Sequence, residues 1–334
     1  VAEVTQAEAE AGTLTDVKRW TPERVKQAID ALAGSSGGKL GISDSTGSFT
    51  YYSTIADALT AASSGDTIEF FANITETSDI TVTCVDGVNI NFNGYTYTLN
   101  TSGTSDGFTV GNNVSLEMYN GKIKRIGATS ATTSKVSLSV SGIGVLSLNA
   151  MILESDFGNA GYLASSTRTV KGGDFVGETK GVFVSGARLE NAKASSNSGT
   201  GLQIQNGGIA INCYGFSTSS YGVYNNNSHA HKCVGRSHGN FGLFIGNGES
   251  YNCQGLSTSN YGVSITGAAK FGNIFGHSSA SAGVNLVGEG TNVTGYSTAS
   301  YGIRYASGSG DHIILNVRAF STSDVAMYVL KNAG

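Results

Sequence analysis

The sequence predicts an all-β fold, a right-handed parallel β-helix built as a single-stranded solenoid and preceded by short N-terminal helices. Three observations predict it. Glycine recurs at a fixed period, the runs between glycines alternate in polarity, and the composition is that of a chain made of turns and short strands.

The period is clearest in the last third. Tyr221-Gly222-Val223, Phe241-Gly242-Leu243, Tyr261-Gly262-Val263, Ala282-Gly283-Val284 and Tyr301-Gly302-Ile303 return with their glycines 20, 20, 21 and 19 residues apart. A second glycine keeps the same time at Gly215, Gly235, Gly255, Gly276 and Gly295, each followed two positions later by Ser217, Ser237, Ser257, Ser278 and Ser297. Self-similarity at this spacing marks a solenoid. A leucine-rich scaffold is missing, and helical repeats need roughly 33 to 47 residues per unit. Instead, short runs such as Ile209, Ile211 and Cys213, or Leu243 and Ile245, place apolar residues at alternate positions between Gly, Ser and Asn turns. Three such strands make one coil, and neighbouring coils stack at about 4.8 Å. Parallel crossovers are right-handed as a general rule.

Cysteine tests the register. Cys213, Cys233 and Cys253 each stand two residues before the second glycine, a place taken later by Ile274 and Val293. Exchange with apolar residues predicts an inward column of reduced thiols, since free cysteine packs as a small hydrophobe. The fourth cysteine, Cys84, is far away in sequence, and all four read as unpaired. Reduced thiols point to assembly in a reducing cytoplasm.

Composition narrows function. Charged residues are 13% of the chain, about half the usual share; 47 glycines and one proline fit a chain of tight turns. A net charge of -4 without a basic stripe argues against nucleic acid as a partner. No apolar run reaches the roughly 18 residues of a spanning helix, so no membrane insertion is expected.

The N-terminal third divides differently. Residues 1–38 form a linking or neck segment, 39–65 a region with a capping helix, and 66–334 the β-helix. In the first, Thr21 caps a helix that has Pro22 at its first position and Val25, Ala28, Ile29 and Leu32 on one face. That stripe either packs on its own domain or self-associates as an oligomeric neck. In the second, Thr54 and Asp57 make an approximate capping box before Ile55, Ala58, Leu59 and Ala62, and Gly65 stops the helix. An amphipathic helix directly before Asp66-Thr67-Ile68-Glu69-Phe70-Phe71 is the expected lid on the open first coil.

These residues also carry a resemblance. Val4-Thr5-Gln6-Ala7-Glu8-Ala9-Glu10-Ala11-Gly12 followed by Trp20-Thr21-Pro22-Glu23-Arg24-Val25-Lys26-Gln27-Ala28-Ile29 resembles the linking segment of tailed-bacteriophage tail fibres and tailspikes. The stretch from Thr54 to Ile68 is similar to the start of the β-helix in pectate-lyase-like and tailspike proteins. The resemblance implies a homotrimeric virion protein, bound through its N-terminal segment to a tail or baseplate protein and presenting its coils to a host surface glycan. It implies either adhesion alone or adhesion with polysaccharide cleavage. A free pectate-lyase-like enzyme and a purely structural fibre segment are the other readings.

Glycoside cleavage needs two carboxyl groups about 5 to 9.5 Å apart. Glu154, Asp156, Asp174 and Glu178 are the catalytic candidates, with Glu190 nearby and Arg168, Lys171, Lys180 and Arg188 interleaved. A 20-residue count puts Glu154 and Asp174 on adjacent coils. The same cluster also reads as an ordinary solvated face. In His229-Ala230-His231-Lys232-Cys233 two histidines and a cysteine share a run, but the thiol belongs to the core column, so no metal and no cofactor is called for. Tyr221, Tyr261 and Tyr301, with Phe241, form an aromatic column that is either an outward sugar platform or an inward or corner ladder. Asn225, Asn226, Asn227 and Asn247 read as turn residues.

Overall fold

The computed structural model describes residues 38–43, 48–78, 82–100, 102, 106–127, 136–165, 167–306 and 314–330. The expected neck and its helix at 21–32 lie outside the described residues. The chain winds into a right-handed parallel β-solenoid of about 11 turns.

One coil shows the plan. Val223–Asn225 lies on a first face, His229–His231 on a second and Val234–Ser237 on a third. Each strand pairs in parallel with its equivalent in the next coil: Val223 with Leu243, His229 with Glu249, Gly235 with Gly255. The second and third faces belong to one sheet and the first face to another. They merge because several strands, Lys270–Ser278 among them, run through the bend between them.

The recurring glycines sit where the first and third faces touch. Gly215, Gly235, Gly255, Gly276 and Gly295 pair in one column and reach Ala319 in the last described coil. A Cβ on Gly235 would overlap the carbonyl oxygen of Gly242, so the two backbones approach as closely as they do only because both columns lack side chains. Serine closes the same corner. Ser257 Oγ donates to the Asn240 carbonyl at 2.5 Å and accepts from the Asn260 N–H at 3.0 Å. Ser217, Ser278 and Ser297 repeat the pattern, each reaching a carbonyl of the preceding coil. These hydroxyls satisfy turn groups that no ladder supplies.

Inside, Val223, Leu243, Val263, Val284 and Ile303 stack with no exposure. Cys213, Cys233 and Cys253 are buried and free, followed by buried Ile274 and Val293, as the register predicts. The earlier coils fill a wider core with aromatic rings: Phe70 stacks on Phe92 at 4.5 Å between centroids, and Tyr97 meets Phe108 edge-on at 4.9 Å. Two readings of orientation reverse. Ile209 and Ile211 face outward and Ala210 inward, in a column of small side chains, Ala210, Ala230 and Ser250, between Leu189 and Phe271. Arg168, read among surface charges, is 1% exposed and points into the solenoid. Its guanidinium donates to the carbonyls of Val114, Gly111 and Ile143 at 2.8, 2.5 and 2.5 Å, tying earlier coils together.

The N-terminal end is closed by a helix, α1 (Ile55–Ala61), and by a hairpin not anticipated from the sequence. The N-cap half of the capping box forms, with the Asp57 N–H donating to Thr54 Oγ1 at 3.1 Å, while Asp57 Oδ2 accepts from the Thr54 hydroxyl at 2.7 Å in place of the Thr54 backbone N–H. Ile55, Ala58 and Leu59 turn inward. The helix ends before the expected stop: Ala62 is extended, and Gly65 occupies the following turn at φ 98°. Leu40–Ser43 pairs antiparallel with both Phe49–Tyr52 and Thr67–Phe70, so the strand edge of the first coil is covered.

Candidate functional site

The acidic cluster lies on the third face and in the turn beyond it. Glu154 points outward from the strand Gly144–Ser155, and Asp174 from Arg168–Gly177. The strands are neighbours, but Glu154 pairs with Val176 and Asp174 with Ile152, so the two carboxylates are offset by two positions. A fixed 20-residue count fails because these coils are longer: Leu148 pairs with Gly172, 24 residues on, and after a register shift beside the left-handed Gly172 and Gly173, Ile152 pairs with Asp174, 22 residues on. Asp156 and Glu178 sit in the turns that follow, outside the strands.

Glu154 is held by two cations. Lys124 Nζ lies 2.8 Å from Oε1 and Lys122 Nζ 3.0 Å from Oε2. Partial burial pushes its carboxyl up, but the hydrogen bonds and charges of Lys124 and Lys122 outweigh that and leave it below the ordinary value. An ionised, doubly paired carboxylate cannot serve as the proton donor of glycoside hydrolysis. Glu178 Oε2 accepts from Asn197 Nδ2 at 2.9 Å, and Glu190 pairs with Arg188 Nε at 2.5 Å. Asp174 borders a shallow depression with Lys193, Ser195, Tyr214 and Phe216. The arrangement is a set of ion pairs and turn contacts rather than a pair of carboxyls facing a common cleft.

The aromatic residues come together on the opposite side of the coil. Tyr221, Phe241, Tyr261 and Tyr301 are half-buried at the corner leading into the first face. Tyr224 and Phe244 project outward from that face, between inward Val223 and Asn225 or Leu243 and Ile245. Tyr224 and Phe244 stack at 4.9 Å and 10°, and Phe241 and Tyr261 at 5.4 Å and 20°. Tyr221 bridges the two rows, 5.3 Å from Tyr224 and 5.6 Å from Phe241. Farther up the same face Tyr162 stacks on Phe183 at 5.4 Å, and Lys180 Nζ stands 5.2 Å above the Phe183 ring. Ala282 is the gap in the column; across it Arg304 Nη1 donates to the Tyr261 hydroxyl at 2.7 Å. Tyr301 therefore belongs to a separate stack with Tyr328, at 4.7 Å.

His229 and His231 face outward while Cys233 is fully buried, so the three share no site. His229 Nδ1 is 3.4 Å from Glu249 Oε2, and the His231 ring lies 5.4 Å from that of Tyr251. Among the described residues no three His, Cys, Asp or Glu side chains converge as a metal-ligand set, and no helix is long and apolar enough to cross a membrane.

An asparagine ladder went unread in the sequence. Asn191, Asn212, Asn252, Asn273, Asn292 and Asn316 occupy the bend between the second and third faces, all at φ of 53 to 57°. Their side-chain amides bond down the stack: Asn212 to Asn191, Asn273 to Asn252 and Asn292 to Asn273 at 2.8 Å, Asn316 to Asn292 at 3.0 Å. The signal was an Asn directly before Cys213, Cys253, Ile274 and Val293 of the core column. Asn227 lies in a turn at φ 51° as expected, but Asn225 is a fully buried strand residue whose Nδ2 donates to the Glu249 carbonyl at 2.9 Å.

No protein-family model matches the chain, and no curated protein matches it in sequence.

Proposed function

We propose that the protein is the glycan-recognising part of a tail fibre or tailspike. In this reading it is a homotrimeric virion component, joined to a tail or baseplate protein through its N-terminal segment, that binds a bacterial surface polysaccharide. The β-solenoid is compatible with polysaccharide-binding, polysaccharide-degrading and fibre roles alike. The observation that favours binding is the block of rings formed by Tyr221, Tyr224, Phe241, Phe244 and Tyr261. Stacked on one another along the solenoid, these rings present their edges and the uncovered faces at the ends of the block as an apolar surface, held rigid by the coil beneath, that sugar rings can meet at little entropic cost. The lysine-clamped Glu154 and the offset of Asp174 weigh against depolymerase chemistry in the acidic cluster.

The test is incubation of the purified chain with host cells and their extracted surface polysaccharide, followed by sedimentation and by sizing of the polysaccharide. Binding without chain shortening is the expected result. Loss of one ring removes about 0.5–1.5 kcal/mol, so Tyr221→Ala and Tyr224→Ala should each bind about two- to tenfold more weakly. Shortened chains would restore the depolymerase reading. Failure to bind any host glycan or cell would leave a structural shaft.

A further inference from the structure

Between Asn191 and Asn316 the asparagine ladder is broken once, and among the described residues only Ala150, at φ 52° in an earlier bend, is another left-handed side chain that is neither asparagine nor glycine. At the position between Asn212 and Asn252 the chain places Lys232, at φ 52°. A non-glycine residue in the left-handed region costs about 1–2 kcal/mol, which asparagine offsets by local hydrogen bonding and lysine does not. Strain of this kind persists where something else requires the residue. Lys232 borders a depression of about 380 Å3 whose other walls are Arg188, Ile209, Ile211, His229 and His231.

That depression is unusual in two further respects. Its floor is the pair Ile209 and Ile211, turned outward on a face whose neighbouring strands present Arg188 and Glu190 above and His229 and His231 below. The polar side chains that line it are Arg188, His229, His231 and Lys232, and the one carboxylate beside its floor, Glu190 next to Ile211, is held by Arg188. Arg188 is committed to Glu190, and His229 lies beside Glu249. No carboxylate among the described residues pairs with Lys232, whose side chain is exposed.

We propose that this depression is a subsite for a carboxylate-bearing sugar residue, with the apolar face of the pyranose resting on Ile209 and Ile211 and its carboxylate meeting Lys232 and His231. An apolar floor favours a uronate over a free inorganic anion, which would gain nothing from it, and the unpaired ammonium favours an acidic over a neutral sugar. The subsite rests on the glycan-binding reading above and specifies the glycan as an acidic one. It lies on the second face, away from the aromatic block.

The experiment is calorimetric titration of the full chain with trigalacturonate and with maltotriose, for the wild type, Lys232→Asn, His231→Gln and Tyr221→Ala. Lys232→Asn restores the residue the ladder uses in every neighbouring coil from Asn191 to Asn316, so loss of fold does not confound it; circular dichroism verifies this. The expected result is binding of trigalacturonate at least tenfold tighter than of maltotriose, weakened at least tenfold by Lys232→Asn and less by His231→Gln. Equal binding of the two sugars, or trigalacturonate binding unchanged in Lys232→Asn, overturns the subsite. If host polysaccharide still binds and Tyr221→Ala weakens it, the glycan-binding function survives that result. If no glycan of any kind binds, both fall together.

Discussion

Lys124 and Glu154 stand on adjacent strands of the third face with Nζ 2.8 Å from Oε1, and Lys122 takes the other carboxylate oxygen. The residue placed first among catalytic candidates by its charge is therefore the best-neutralised carboxylate of its cluster. Because its folded pKa is depressed, Glu154 stabilises the fold above the ordinary carboxylate value of about 4.3, and this contribution is lost as pH falls through the folded value. Glu154→Gln should lower stability at pH 7 by up to about 1 kcal/mol. The gap to wild type, followed by urea denaturation at a series of pH values, should narrow as pH falls below the ordinary carboxylate value. Polysaccharide binding should be unchanged.

Lys232→Asn should stabilise the protein. It relieves a left-handed lysine and extends the amide ladder from Asn212 to Asn252, together about 1–2 kcal/mol. The expected readout is an apparent melting temperature a few degrees above wild type, and a lower one would contradict the ladder.

Ser257→Ala should cost about 1–3 kcal/mol, because the buried hydroxyl serves both the Asn240 carbonyl and the Asn260 N–H. A shift of the urea midpoint without a change in slope would show that the loss is local. A variant as stable as wild type would mean that water replaces the clip.

Gly235→Ala should cost about 3 kcal/mol or more, since the added methyl meets the Gly242 backbone and not a movable side chain. Gly111→Ala is the control, for a Cβ there meets nothing within 4 Å. Similar melting temperatures for the two would refute the close contact of faces.

Arg168→Met should destabilise by about 2–4 kcal/mol by leaving the Val114, Gly111 and Ile143 carbonyls without their donor. Hydrogen exchange should rise first in the coils around those three residues.

What could be read from the sequence was whatever repeats without insertion. The paired glycines, the serines after them and the cysteine column follow from packing that every coil imposes equally, so periodicity alone exposed them. Ile209 and Ile211 were misread because a three-residue strand of apolar residues reads the same in both phases, and the phase is set by the column it joins, here Leu189, Ala210 and Ala230. Glu154 and Asp174 were displaced because the coil between them takes 22 residues where the later repeats take about 20. Arg168 gave no sign of burial, since its partners are backbone carbonyls 25 to 57 residues earlier. The ladder asparagines were legible as a residue recurring just before the core column but went unread, since only Asn225, Asn226, Asn227 and Asn247 were weighed as turn residues.

The ladder hydrogen bonds of a parallel solenoid run along its long axis, across every coil boundary. A pull along the shaft therefore loads the three faces simultaneously, and a boundary parts only when all of them yield. A sideways peel would load one corner at a time, beginning where the first and third faces meet without side chains between them. Each serine clip, reaching from one coil to the carbonyl of the coil before, stands at that corner. A solenoid built this way resists tension along its long axis better than it resists a peel from the side.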